Sequence, residues 1–266
     1  MTDRPDDASS TLHPARLFSC DGQVAIVTGG SSGIGRASVE ALAAAGARVL
    51  LVGLPDGRPD AVASDLRDRG LDVEGIAADL TAADAAGALV TAAVDRWGRL
   101  DTVVANAGAA LDEPGSTDLG ALDRMYALHV RSVAELANAA VPVIARSGGG
   151  AFLIMSSLAG LRGNRILSGY GITKAANAQL ARNLAVQWGH AGVRANAISP
   201  GVIETDFARP ITDDAATASI RRDRTPLRRF GRVEEVAGAV VWLASSAGAF
   251  VTGQNIVIDG GTLIAD

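Results

Sequence analysis

The 266-residue sequence has one cysteine, three histidines and, among 24 basic residues, a single lysine. One cysteine, Cys20, excludes an internal disulfide framework and a cysteine-rich zinc site. It suits a reducing compartment, so a cytoplasmic location is the expectation. His13, His129 and His190 show no metal-ligand spacing, and no metal is expected. An excess of positive charge is also missing. The 24 basic residues face 29 acidic ones, for a net charge of −5, which leaves nothing to attract phosphate backbones or anionic lipid. No nucleic-acid partner is expected. A long stretch without charge, Ala237 to Ile258, is broken by Ser245, Ser246, Thr252, Gly253, Gln254 and Asn255. A membrane span needs about 20 predominantly apolar residues, so no membrane partner is expected either. Met1 to Pro14 carry Asp3, Arg4, Asp6 and Asp7 and lack the apolar core of a secretory signal. Residues 1–16 read as a frayed tail and 17–266 as one domain.

What is present is a regular alternation. Short apolar runs at Val24–Val27, Val49–Val52, Val73–Ala77, Thr102–Ala105, Phe152–Met155, Ala195–Ile198 and Ile256–Ile258 do not alternate with polar residues, as expected of strands buried on both faces. Between them lie segments of helical spacing, including Ile34–Ala45, Ala82–Trp97, Leu119–Ala145 and Gly169–Trp188. Strand, helix, strand, repeated, predicts an α/β fold: a doubly wound Rossmann-type parallel sheet of about seven strands, helices on both faces, in a single domain. Ligands of such sheets bind beyond the carboxyl ends of the strands.

Directly after the first strand comes Thr28-Gly29-Gly30-Ser31-Ser32-Gly33-Ile34-Gly35, opening into a helix. Glycines let backbone N–H groups approach a pyrophosphate, and the helix N-terminus favours its charge. Glycine clustering alone is equally a flexible loop; the strand-to-helix setting is what favours dinucleotide binding. The second strand ends in Val52-Gly53-Leu54-Pro55-Asp56-Gly57-Arg58, with neither an acid nor a base at the strand end itself. Asp56 would serve NAD and Arg58 the 2′-phosphate of NADP, although Pro55-Asp56-Gly57 is also an ordinary turn. With no carboxylate at the strand end to repel a phosphate, the reading inclines to NADP, with NAD the alternative.

Tyr170 and Lys174 stand four apart in a predicted helix, one turn apart on one face. In a chain that uses arginine at 23 of 24 basic positions, the lysine here is informative. A compact ammonium can bond ribose hydroxyls and sit close to a phenol where a guanidinium cannot, the plain alternative being a lone surface lysine. To exchange protons near neutrality the phenol must come down from about 10, at a cost of about 4 kcal/mol. One cation at about 5 Å in an effective dielectric near 20 supplies roughly 3 kcal/mol. Ser156 and Ser157 follow the fifth strand, where Ser157 could donate a hydrogen bond to a substrate oxygen or simply begin a loop.

These residues resemble the short-chain dehydrogenase/reductase superfamily, in its single-domain branch, from about Leu17 to Gly261. The marks are Thr28 to Gly35, Asp79-Leu80, Asn106-Ala107-Gly108, Ser157, Tyr170 with Lys174, Pro200-Gly201 with Thr205, and Asp259-Gly260-Gly261. The resemblance implies an enzyme that reversibly transfers hydride between NAD(P) and a ketone or secondary alcohol, without metal. It makes Tyr170 the general acid/base, has Lys174 hold the nicotinamide ribose and lower the tyrosine, and has Ser157 orient the carbonyl. Gly29, Ser31, Ser32, Gly33, Ile34 and Gly35 would hold the pyrophosphate. Asp79 and Leu80 would lie at the adenine, Asn106, Ala107 and Gly108 along the cleft, and Pro200, Gly201, Ile203 and Thr205 at the carboxamide. A homotetramer is also implied.

One position departs. The family usually has asparagine in the helix after the fourth strand, holding a water that relays protons to the lysine; this chain has His129. Histidine can hold that water and titrates near neutrality, which would add a pH dependence, while the alternative is a tolerated substitution. The polar segment from Thr205 to Arg229 corresponds to a mobile lid in the family. Leu158, Arg162, Asn164, Arg165, Ile203 and Phe207 are candidate pocket walls, and Arg162 with Arg165 could bind an acid or an acyl-phosphopantetheine group. Two competing readings stand beside the enzyme. One is a dinucleotide-binding regulatory or scaffold protein without catalysis, motivated by His129. The other is an S-adenosylmethionine methyltransferase, which leaves the Tyr170/Lys174 pair unexplained.

Overall fold

The computed structural model describes residues 12–111 and 117–265. Seven strands form one sheet: β1 (Val24–Thr28), β2 (Arg48–Gly53), β3 (Val73–Ala77), β4 (Thr102–Ala105), β5 (Gly150–Met155), β6 (Val193–Pro200) and β7 (Asn255–Ile258). They lie in the order β3-β2-β1-β4-β5-β6-β7 and every pairing is parallel. The longer helices are α2 (Gly33–Ala44), α3 (Pro59–Asp68), α4 (Ala85–Trp97), α5 (Leu119–Tyr126), α6 (Ser132–Arg146), α7 (Ser168–Trp188), α9 (Ala215–Asp223) and α10 (Val233–Ala244). Two four-residue helices, α1 (Pro14–Leu17) and α8 (Arg209–Thr212), complete the set.

The pleat explains why the strand sequences are apolar throughout. Val24 and Ile26 of β1 face a core shared with Leu89 and Val90 of α4, Leu136 and Val141 of α6, and Ala181 and Leu184 of α7. Ala25 and Val27 face the other way, against Val39 and Leu42 of α2, Leu66 of α3, and Val236, Val240 and Leu243 of α10. The central strands are therefore buried on both faces, as parallel crossover connections require, while the edge strands β3 and β7 are only partly buried. The strand order reverses between β1 and β4, and this opens a crevice beyond Thr28 and Ala105 where a ligand can enter the sheet edge.

Three elements differ from the sequence expectation. The frayed tail assigned to residues 1–16 lies largely outside the described residues, but residues 14–17 form α1. Pro14 occupies its first turn, the His13 ring accepts a hydrogen bond from the Ala15 N–H, and Ser246 Oγ donates to Leu17 O at 3.0 Å. The helix expected over Leu119–Ala145 is divided into α5 and α6 by one π-helical turn, Ala127–Arg131, which carries His129. Such turns concentrate at functional sites because they redirect side chains and backbone carbonyls. The segment Thr205–Arg229 is helical in part, at α8 and α9. Among the described residues no helix is long and apolar enough to cross a membrane.

Candidate active site

A cavity of about 780 Å³ lies beyond the carboxyl ends of the strands, and the glycine turn forms one wall of it. Gly29 and Gly33 hold φ of +64° and +52°, backbone that L side chains rarely adopt. Asn106 fastens this turn to the end of β4. Its Nδ2 donates to Thr28 O at 3.1 Å and to Gly29 O at 3.3 Å, while Thr28 Oγ1 accepts from the Asn106 and Ala107 N–H groups. The α2 helix starts within the turn, so its unpaired N–H groups point toward the cavity. Ser31 Oγ is buried without a hydrogen-bond partner and lies against Gly53 and Gly57 at the end of β2. A buried hydroxyl in that state is expensive unless a ligand engages it.

The opposite wall carries the acid/base candidates. α7 buries Tyr170 and Lys174 on the face toward β5. Lys174 Nζ donates to Met155 O at 2.7 Å, and Ser156 Oγ donates to Lys174 O at 2.6 Å, so the lysine is held at both ends. Its Nζ lies 5.5 Å from the centre of the Tyr170 ring. Ser157 Oγ accepts from the Ala159 N–H, leaving its proton for the phenol, to which it is hydrogen-bonded.

The electrostatics correct one expectation. Coulombic lowering of the phenol by Lys174 was expected to dominate; instead burial pushes Tyr170 up to about 12, opposed by the Ser157 hydrogen bond. Burial likewise pushes Lys174 down to about 8. Desolvation of both partners outweighs their attraction because neither phenolate nor ammonium keeps water around it.

His129 is a second correction. It is fully buried, and the Ala109 N–H donates to its Nε2 at 3.0 Å, so that nitrogen carries no proton. The Nδ1–H then donates to Thr173 Oγ1 at 2.8 Å, and the Thr173 hydroxyl donates to the backbone carbonyl of Tyr170 at 2.9 Å. Burial, and after it the charge of Lys174, push the imidazole down to about 3. The ring does not titrate near neutrality; it is a neutral strut between the loop after β4 and α7, edge-on to Tyr170 with ring centres 5.5 Å apart.

Of the residues singled out in the sequence, Gly29, Ser31, Ser32, Gly33, Ile34, Gly35, Asp79, Leu80, Asn106, Ala107, Gly108, Ser157, Tyr170, Lys174, Pro200, Gly201, Ile203 and Thr205 all line the cavity. Arg58 does not. It is exposed, in left-handed backbone at φ 46°, as the N-cap of α3, whereas Asp56 lines the cavity. Of the two residues weighed for the ribose, Asp56, the NAD candidate, is in the lining and Arg58, the NADP candidate, is outside it. Leu158, Arg162, Asn164 and Phe207 are in the lining and Arg165 is not. Arg124 and Arg221, which sequence reasoning passed over as cavity residues, are in it, and Phe207 brings its ring to 6.0 Å from that of Tyr170.

Comparison with known proteins agrees with this fold. A family model described as enoyl-(acyl carrier protein) reductase matches residues 29–262. A tropinone reductase homolog of Arabidopsis thaliana is 35% identical over 254 residues, covering 94% of this chain and 82% of the relative. A gluconate 5-dehydrogenase from Burkholderia cenocepacia, solved in complex with NADP and tartrate, superimposes with a TM-score of 0.91 at 29% identity, over 96% of this chain and all of that one. A 7α-hydroxysteroid dehydrogenase, solved with NADH and 7-oxo glycochenodeoxycholic acid, gives 0.88 at 30% identity, over 92% and 96% of the two chains.

Proposed function

Because the chain belongs to the short-chain dehydrogenase/reductase superfamily, we propose that it reversibly transfers hydride between a nicotinamide dinucleotide and a ketone or secondary alcohol, with Tyr170 as general acid/base. The observation that carries this reading is that Ser157, Tyr170 and Lys174 open onto the same cavity as the glycine turn. The relatives named as dehydrogenases and reductases, and the neighbours solved with NADP or NADH, support it.

The residues present fit such a cofactor. The positive-φ glycines leave room for close approach, the α2 N-terminus suits a pyrophosphate, and the unpartnered Ser31 hydroxyl has a ligand to meet. When bound, an oxidised nicotinamide supplies the hydride acceptor and a positive charge beside the phenol. Lys174, anchored on Met155 O and next to Tyr170, would hold the nicotinamide ribose through its ammonium. In the reductive direction Tyr170 gives its proton to the carbonyl oxygen while Ser157 polarises that oxygen; in the oxidative direction the phenolate takes the proton from the alcohol. Phe207 and residues of the α8–α9 segment line this end of the cavity, and closure of that segment over a bound substrate would exclude water. Exposed Ile172 and Val186 on α7, with Phe250 and Ile264 near the C-terminus, suit association of copies into the tetramer that the family resemblance implies.

The direct test is a fluorescence titration of the folded protein with NADH and, separately, NADPH, followed by a search for alcohol-dependent reduction of the oxidised forms. Saturable binding and turnover are expected; folded protein that binds neither cofactor would overturn the reading. Two variants sharpen it. Removing the negative charge in Asp56→Asn is expected to move the NADPH-to-NADH affinity ratio toward NADPH by about five- to tenfold, since a carboxylate beside the ribose opposes a 2′-phosphate. An unchanged ratio would mean that Asp56 does not face the ribose. His129→Asn is expected to leave the acidic limb of the pH–rate profile where it is, because the imidazole is already neutral throughout the working range. A shift of that limb would reinstate His129 as a titrating group.

A further inference from the structure

Several arginines of this chain have an acid to hold. Arg36, Arg69, Arg99, Arg131, Arg209 and Arg229, for instance, each pair with a carboxylate. Arg162 and Arg221 line the same cavity as Ser157 and Tyr170, and neither forms an ion pair among the described residues. Of the acids in the lining, Asp206 is also taken: its carboxylate meets Arg209 at 2.7 Å. Asp56 and Asp79 belong to the glycine-turn half of the cavity.

The two arginines come from different segments, and a run of hydrogen bonds links the Arg162 side chain to the Arg221 backbone. Arg162, in the loop after β5, donates through Nη1 to Thr262 O at 3.1 Å. Thr262 Oγ1 meets Thr225 Oγ1 at 3.0 Å, and Thr225 Oγ1 in turn donates to the backbone carbonyl of Arg221, on α9, at 2.9 Å. Burial lowers the proton affinity of the half-buried Arg221, and the positive charges of Arg162 and Arg224 lower it further. Two cations supported in mutual repulsion, facing one cavity without a counter-charge, form a receptor for an anion. Arginine's planar fork suits an oxyanion such as a carboxylate.

We propose that the substrate is an anionic alcohol or ketone, a hydroxy- or oxocarboxylate, whose carboxylate lies between Arg162 and Arg221 while its carbinol or carbonyl carbon lies at Ser157 and Tyr170. The proposal rests on the oxidoreductase reading above and names its substrate class. The reaction stays balanced as there: the carbinol carbon gives a hydride to the nicotinamide dinucleotide, and its hydroxyl proton goes to Tyr170.

The test compares 4-hydroxycyclohexanecarboxylate and 3-hydroxybutyrate with their methyl esters as substrates of the cofactor-saturated enzyme. Cyclohexanecarboxylate and its methyl ester serve as competitive ligands read by protein thermal shift. The acids are expected to be favoured at least tenfold in kcat/KM or in binding. That preference should fall to near one in Arg162→Gln and in Arg221→Gln, and persist in Arg222→Gln, an exposed arginine stacked on Phe230 outside the cavity. Esters handled as well as acids, a preference that survives both substitutions, or a cofactor-binding enzyme that engages none of the acids would each overturn the proposal. Failure to bind cofactor at all is a different result, which removes the oxidoreductase reading beneath it.

Discussion

Tyr170→Phe is expected to lower turnover about a thousandfold while the variant still saturates with reduced cofactor, the loss that follows removal of a positioned proton donor. The substitution is conservative in shape. The ring keeps its edge-on contact with His129 and its place near Phe207, and only the hydroxyl shared with Ser157 is lost. A phenol pushed up to about 12 by burial is protonated throughout the neutral range, so carbonyl reduction finds its proton in place. Alcohol oxidation needs the phenolate, and its rate in the wild-type enzyme is expected to climb with pH; in the variant that climb should vanish. Steady-state rates in both directions across pH 6–10, with a melting curve to establish folding, decide the matter. Activity within tenfold of wild type would remove Tyr170 from its role and leave the cavity with a cofactor site but no acid.

The fold was legible because a parallel sheet buried on both faces writes its strands as unbroken apolar runs. Those runs agree with the observed strands to within a residue or two at either end. Less legible were α3, which opens at Pro59 directly after a Pro-Asp-Gly turn, and α10, whose apolar residues belong to a nearly uncharged C-terminal stretch with no obvious start. In the site, linear motifs carried the glycine turn and the Tyr170/Lys174 pair. Spacing conveys proximity but not desolvation, which is why burial, and not the neighbouring ammonium, sets the phenol. His129 illustrates the same limit. Its identity suggested titration, whereas the Ala109 N–H and Thr173 Oγ1 that fix its tautomer become neighbours only in the folded chain. Arg221 was hidden for a compositional reason. Among 23 arginines, only the structure separates those that have found a carboxylate from those that face a cavity without one.

Gly35→Ala is expected to cost about a hundredfold in affinity for NADH, together with a fall in melting temperature. A Cβ at this position would collide with the carbonyl oxygen of Gly29, lie 2.7 Å from its carbonyl carbon and 2.5 Å from Asn106 Nδ2. The obstacle is backbone, so no rotamer change relieves it and the turn itself must move. It has little freedom to do so. A Cβ on Gly29 would already be 2.9 Å from Ala107 Cα, and Asn106 pins both Thr28 O and Gly29 O. Overpacking of this kind costs about 1–3 kcal/mol, or roughly 2–10 °C in a domain of this size. Displacing two N–H groups from a charged ligand costs about 3 kcal/mol more in binding, hence the hundredfold. Gly87→Ala is the matched control. That glycine lies inside α4 with nothing within 4 Å of the added carbon, and the change is expected to leave cofactor affinity unaltered and to stabilise the helix by up to about 1 kcal/mol. If Gly35→Ala binds NADH as tightly as the wild type, the pyrophosphate does not rest on this turn, and the cofactor must be sought elsewhere along the cavity.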